Sequence, residues 1–282
     1  MGAVPAVIQE TIELDGQPVH LRRGGDDGVP ILYLHGIPTS SFDWLAPLAL
    51  GGGIAVDLPG FGRSGKRGDL DYSLAGHAMF IERLLDALDI DRVRLCMHDW
   101  GAAAGLAWAM SAPERVERLV VINGVPLLPG FRWHRPARLA RMRFLGEFFV
   151  GLATRRVLGY MSRGASAGPG RMPKPFLASA AEGFDQGTQR AVLRILRSAT
   201  PALLAAQGEG LSRITAPALV LWGAEDPYIP ARFGAGYAAT LGDATLETVP
   251  DAGHWPWIDR PELNERIVAF LSDDSGSRPR SR

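Results

Sequence analysis

Apolar residues along the chain fall into two alternating rhythms. Short runs of strand length occur near 31–35, 53–57, 93–98, 119–123, 218–223 and 245–249, and Gly, Pro or Asp punctuates most of their ends. Elsewhere the apolar positions take helical spacing: Leu74, Ala78, Ile81, Leu85 and Leu88 form one stripe, and Leu263, Ile267, Phe270 and Leu271 another. At the start, Ile8 to Leu14 and Val19 to Arg23 flank Asp15-Gly16, which predicts a hairpin. Strands alternating with helices predict an α/β fold: a mostly parallel eight-stranded sheet with helices on both faces.

The strand rhythm stops between Val125 and Gln207. This stretch reads as helices separated by a Gly- and Pro-rich loop at 164–175. The predicted organisation is therefore a core of 1–124 and 208–272, a helical segment of 125–207 inserted after the sixth strand, and a polar tail, 273–282, expected to be disordered.

One strand end carries unusual chemistry. Val93, Leu95 and Met97 run into His98-Asp99-Trp100-Gly101 and then into the small residues Ala102, Ala103 and Ala104. Strand, sharp turn and small-residue helix are the context of a nucleophile elbow, here with an aspartate where a hydrolase usually carries serine. A carboxylate nucleophile suits attack on a saturated carbon bearing a leaving group. Asp before a helix is also a common cap, so the elbow alone does not decide.

Two further strand ends complete a set. Ala218 to Gly223 is followed by Ala224-Glu225-Asp226-Pro227, and Leu246 to Val249 by Asp251-Ala252-Gly253-His254-Trp255. The order nucleophile, acid, histidine, each after a strand, separates this architecture from the chymotrypsin and subtilisin orders. The plainer alternatives are an Asp-Pro turn and a histidine satisfied at a strand end; three coincidences in the right order weigh against them.

The chain resembles α/β-hydrolases of the epoxide hydrolase and haloalkane dehalogenase branch over about residues 28–272. Supporting motifs are His35-Gly36-Ile37-Pro38, Asp57-Leu58-Pro59-Gly60-Phe61-Gly62-Arg63-Ser64, and Gly253-His254-Trp255 with Asp259-Arg260-Pro261-Glu262. His-Asp-Trp-Gly marks the branch, whereas Met97 departs from the small residue the elbow prefers. The resemblance implies that 125–207 is a cap over the nucleophile. Asp99 would form an ester with the substrate carbon, His254 would draw a proton from the hydrolytic water, and Asp226 would hold the histidine tautomer. The backbone N–H groups of Ile37 and Trp100 would form the oxyanion hole. No metal or organic cofactor is expected, because the ester divides the reaction into two manageable steps.

Composition agrees with a single enzyme domain plus an insertion, since 282 residues that are 46% hydrophobic can bury a large core. Residues 1–23 lack a signal-peptide apolar stretch, and no run reaches membrane-spanning length. The lone cysteine, Cys96, fits a reducing compartment, so a cytoplasmic protein without integral membrane association is expected. The insertion holds 13 basic against 3 acidic residues. That bias fits an anionic substrate, an acidic partner or a membrane surface, but a solvated arginine face explains it more simply. No basic stripe interleaved with aromatics points to nucleic acid.

Gly60-Phe61-Gly62-Arg63-Ser64-Gly65 matches a dinucleotide-binding pattern. However, it opens no helix, since the next helical stripe begins near Ser73, and a pyrophosphate needs that helix N-terminus.

The leaving group is chosen by fewer residues. Dehalogenases resembling this chain carry Asn or Glu at the position of Ile37, which disfavours halide binding there, although the Trp100 indole could grip a halide. Epoxide hydrolases use two cap tyrosines, and Tyr160 is the only tyrosine in this segment, leaving Trp133 and His134 as candidate substitutes. The expectation from sequence is epoxide hydrolysis of an apolar small molecule. The alternatives are dehalogenation of a haloalkane or haloacid, and a non-catalytic ligand-binding relative.

Overall fold

In the computed structural model, residues 6–25, 28–152, 165–166 and 172–273 are described; Tyr160 and the tail from 274 lie outside them. The strands are β1 (Ile8–Leu14), β2 (Gln17–Gly24), β3 (Ile31–Leu34), β4 (Gly53–Val56), β5 (Val93–His98), β6 (Val116–Ile122), β7 (Pro217–Gly223) and β8 (Asp243–Val249). They form one eight-stranded sheet in the order β1-β2-β4-β3-β5-β6-β7-β8. Only the β1/β2 and β2/β4 pairs are antiparallel; every other pairing is parallel. The β1/β2 turn is Asp15-Gly16, both at positive φ (51° and 69°), as the primed hairpin turns require.

Alternation along the strands divides the core between the two faces. Leu32, Leu34, Ile54, Val56, Leu95 and Met97 join one apolar cluster, while their neighbours Ile31, Tyr33, Ala55 and Cys96 join the other. Against the first cluster pack α2 (Leu74–Ala87), through Leu74, Ile81 and Leu85, and α3 (Asp99–Ala109), through Trp100 and its alanines. Against the second pack α1 (Leu45–Gly51) and the C-terminal helix (Leu263–Leu271), through Leu48, Ile267 and Leu271. Sheet strands covered on both sides read as near-continuous apolar runs for this reason.

Between β6 and β7 come helices: α4 (Arg135–Ala140), α5 (Leu145–Gly151), α6 (Lys174–Gly183), α7 (Gln186–Ser198) and α8 (Pro201–Gln207). Two arginines of this stretch tie its helices to one another and two tie it to the loop after β4. Arg141 donates to the carbonyls of Leu196 and Ala199, Arg197 pairs with Glu147, and Arg190 and Arg194 reach the carbonyls of Lys66 and Gly68.

The glycine pattern after β4 is a turn that wraps a carboxylate. Ser41 N and Arg63 N donate to Asp57 at 2.7 and 2.8 Å, and any side chain at Gly62 (φ 52°) would strike that carboxylate. Amides that a bound phosphate would use are occupied by Asp57, and α2 starts only at Leu74, capped by Ser73.

Candidate active site

At the end of β5 the chain turns sharply, and Asp99, the first residue of α3, sits at φ 48°. A non-glycine residue in the left-handed region is uncommon, and Asp tolerates it better than most. Glycines make the turn sterically feasible. A Cβ on Gly101 would fall 2.5 Å from the carbonyl oxygens of both Leu34 and His35, so only glycine lets α3 start this close to β3. Gly105 does the same for the bulky Met97, whose sulfur lies where a Gly105 side chain would project. The crowding that Met97 introduces is absorbed one turn into the helix.

Asp99 is held from both sides. Its Oδ1 accepts the backbone N–H of Ile37 at 2.9 Å. The loop that presents Ile37 is anchored by His35: Leu58 N donates to His35 Nε2 at 2.9 Å, so the ring proton is on Nδ1, which donates to Gly36 O at 2.7 Å. On the other side, Asp99 Oδ2 stands 3.6 Å from His254 Nε2.

The remaining partners come from the ends of β6, β7 and β8. His254 Nδ1 lies 2.8 Å from Asp226 Oδ2. Asn123 Nδ2 donates to that same oxygen at 2.6 Å, and Tyr228 N and Ile229 N donate to Oδ1 at 2.7 and 3.1 Å. Aromatic rings enclose His254: Trp255 and His98 at 4.6 Å and Tyr228 at 5.0 Å between centroids.

Electrostatics follow from this enclosure. For His254, burial opposes the charged form, but the charge and hydrogen bond of Asp226, with the interactions of Asp99, prevail and raise its pKa to about 10. Asp99 and Asp226 respond in kind. Burial pushes their carboxyls up, and the facing His254 more than offsets it, leaving both below the usual range. The two carboxylates thus favour the charged form of the imidazole between them.

Above Asp99 lies a cavity of about 190 Å³ walled mainly by apolar side chains, including Phe131, Phe149, Phe176 and Leu196 from the segment between β6 and β7. Its polar wall comprises Thr39, Asp99, His134, Tyr228 and His254.

Of the residues singled out in the sequence, Asp99, Asp226, His254 and Ile37 meet at this point. Trp100 behaves differently from a cavity residue. Its side chain is fully buried edge-on to His77 at 5.7 Å and does not line the cavity; its indole N–H finds no partner among the described residues. Its backbone N–H lies in the first turn of α3, where amides have no intrahelical acceptor. Trp133 and His134 both line the cavity, but the Trp133 indole donates to Ala199 O at 2.8 Å and so is engaged within the protein. Tyr160 lies outside the described residues. Sequence reasoning missed Asn123 and Tyr228. Asn123 directly follows β6 (φ 40°), where Asn is ordinarily a turn residue, and Tyr228 follows Asp226 too closely to stand out from the Asp-Pro turn.

Comparison with known proteins identifies the family of the chain. A family model described as alpha/beta hydrolase family matches residues 31–265. The chain is 32% identical over 278 residues to a haloalkane dehalogenase of Mycolicibacterium paratuberculosis, covering 89% of this chain and 86% of that protein. Among solved structures, haloalkane dehalogenase DbeA from Bradyrhizobium elkani superposes with a TM-score of 0.81 at 23% identity, covering 95% of this chain and 98% of that one. The epoxide hydrolase CorEH superposes with a TM-score of 0.77 at 20% identity, covering 95% and 99%.

Proposed function

Because the chain belongs to the alpha/beta hydrolase family, in its haloalkane dehalogenase and epoxide hydrolase branch, we propose that it hydrolyses the carbon–halogen bond of small apolar haloalkanes through an ester on Asp99. The observation that carries this reading is the division of labour at Asp99. Oδ1 is fixed by Ile37 N–H at 2.9 Å, while Oδ2 stands 3.6 Å from His254 Nε2, and both residues line the cavity.

In the first step Oδ2 attacks the halogen-bearing carbon; the C–O bond forms as the C–X bond breaks and its electron pair leaves with the halide. Esterification removes the negative charge of Asp99. One of the influences that raise the pKa of His254 vanishes with it, the larger pull of Asp226 remaining, and this favours loss of the imidazolium proton to solvent alongside the halide, which leaves the neutral ring as the base for the second step. In the second step His254 takes a proton from water as that water attacks the ester carbonyl carbon. The developing oxyanion is Oδ1, already bonded to Ile37 N–H, with Trp100 N–H as the second donor. Asp226 fixes the proton-bearing nitrogen of His254 and stabilises the imidazolium. The helices of 125–207 act as a cap that excludes water from the first step.

Carbon–halogen chemistry is favoured over the epoxide expected from sequence by the dehalogenase likeness, which runs through 86% of that relative. The engagement of Trp133 with Ala199 O also removes one substitute for a missing tyrosine acid. One observation favours the epoxide as a second reading: Tyr228 lines the cavity beside His254. Burial, then the charges of Asp226 and Asp99, push its phenol up to about 12, so it stays protonated and able to donate. Halide release and diol formation, measured side by side on 1-bromobutane, 1,2-dibromoethane, styrene oxide and chloroacetate, test the assignment. Halide release from the first two alone is expected; diol formation without halide release would replace it with the epoxide reading.

A further inference from the structure

The helix α5 is apolar on both its sides. Phe149 and Val150 line the cavity over Asp99, while Phe148 and the flanking Met142, Phe144, Leu145 and Leu152 stand exposed, Phe144 at 82% and Phe148 at 68%. Ten large apolar side chains are exposed among the described residues, and five of them fall within the eleven positions 142–152. Exposed apolar side chains scattered singly are ordinary, whereas a contiguous set marks a surface that something covers. Phe144, Phe148 and Leu152 succeed one another by one helical turn, each linked to the next by an N–H···O bond of 3.1 Å, and so form a ridge. A helix apolar all round belongs inside a protein or against lipid, and α5 has only one of its sides inside this one.

Charge around the ridge is of one sign. Glu147 is the only acidic residue between Val125 and Ala181, and Arg197 pairs with it at 2.7 Å. The neighbouring α4 packs against α5, with Ala140 O where a side chain on Gly146 would project. From α4 and its two ends, Arg132, Arg135, Arg138 and Arg143 are exposed, and none pairs with a carboxylate among the described residues.

We propose that the outer side of α5, with its rim of arginines, docks on an anionic lipid bilayer, the apolar ridge entering the acyl boundary and the arginines meeting headgroup phosphates. At seven residues α5 is far short of the roughly 20 needed to cross a bilayer, so the contact lies in the interface plane. A second copy of the chain fits this face less well, because a two-fold contact through the ridge would bring two arginine rims together with no free carboxylate to receive them. The inference does not depend on which bond the enzyme hydrolyses. Since the inner side of α5 is cavity wall, docking sets the cavity beside the phase in which apolar molecules concentrate.

Co-sedimentation of the full chain with large unilamellar vesicles, made of phosphatidylcholine alone or with an equal part of phosphatidylglycerol, tests this. Two double variants divide the surface: Phe144→Ser with Phe148→Ser removes the ridge, and Arg138→Gln with Arg143→Gln removes half of the rim. All four side chains are exposed, so thermal melting should stay near that of the wild type. The expected result is binding at least tenfold tighter to the anionic vesicles than to phosphatidylcholine alone. It should weaken roughly 30-fold in the arginine variant, at about fivefold per charge, and tenfold or more in the phenylalanine variant. No binding to anionic vesicles, or binding that both variants retain, would overturn the inference. So would binding that only the arginine variant loses, which would be adsorption by charge without insertion. Light scattering on the same proteins gives the remaining outcome: a wild-type dimer that the phenylalanine variant converts to a monomer would assign the ridge to a second copy instead.

Discussion

Asn123 and Asp226 meet at one oxygen: Asn123 Nδ2 donates to Asp226 Oδ2 at 2.6 Å, and His254 Nδ1 approaches the same atom at 2.8 Å. The amide is not free to turn away, because its Oδ1 accepts Gly223 N at 3.0 Å. Neighbouring strand ends β6 and β7 thus set the position of the carboxylate that orients the histidine. Asn123→Leu removes that support. A hydrogen bond to a charged group contributes about 1.5–3 kcal/mol, so ester hydrolysis should slow by roughly 10- to 100-fold. Ester formation, which does not use His254 as a base, should change little. Rapid-quench measurement of both steps checks this; equal slowing of the two would mean that Asn123 acts on the site as a whole.

Removing the base should trap the intermediate. In His254→Gln, Asp99 retains its Ile37 contact and can still attack, but no group withdraws a proton from water. Intact mass after exposure to a haloalkane should rise by the alkyl fragment, and proteolysis should locate it on the peptide containing Asp99. Normal turnover, or an adduct elsewhere, would refute the assignment of nucleophile and base. Asp99→Ala should abolish turnover while the protein remains folded: it relieves a buried carboxylate, and alanine at φ 48° costs only about 1–2 kcal/mol.

The raised pKa of His254 has a stability signature. A group whose folded pKa, about 10, exceeds its ordinary value of 6.5 contributes stability in full below pH 6.5 and loses it as pH rises toward 10. Urea unfolding of the wild type should therefore show a midpoint that falls across that window. In Asp226→Asn the largest favourable influence on the imidazolium is gone, so the fall should shrink. A midpoint equally sensitive to pH in both proteins would separate the effect from His254.

Strand ends made much of this site legible in sequence. Each of Asp99, Asp226 and His254 follows an apolar run, and a parallel sheet brings such ends to one edge, so chain order alone predicts that the three converge. The cavity was less legible because its wall comes from helices between β6 and β7 whose contacts depend on tertiary packing. Trp133 illustrates this: nothing in its neighbours announces that its indole meets Ala199 O. Trp100 shows the converse, since its backbone is placed by the elbow while its side chain is directed by packing against His77. The leaving group was least legible, because it depends on one or two donors rather than on a repeated pattern.

The close approach of Gly36 to Asp99 gives the last prediction. A Cβ built on Gly36 would lie 2.5 Å from Asp99 Cβ and 2.8 Å from its Oδ1, distances that real side chains do not sustain. Asp99 cannot retreat easily, because its backbone is fixed by the positive φ and by the bond from Val125 N to Asp99 O at 2.9 Å. Gly36→Ala must therefore pull Ile37 N–H away from Oδ1. Loss of an oxyanion-hole donor typically lowers turnover by about 100- to 1,000-fold, and a fall on that scale is expected here, chiefly in ester hydrolysis. Circular dichroism should show the sheet and helices retained, since the change is local to one loop. Turnover close to wild type in a folded Gly36→Ala protein would mean that the Ile37 contact is not used in the reaction, and would redirect the oxyanion role to Trp100 N–H alone.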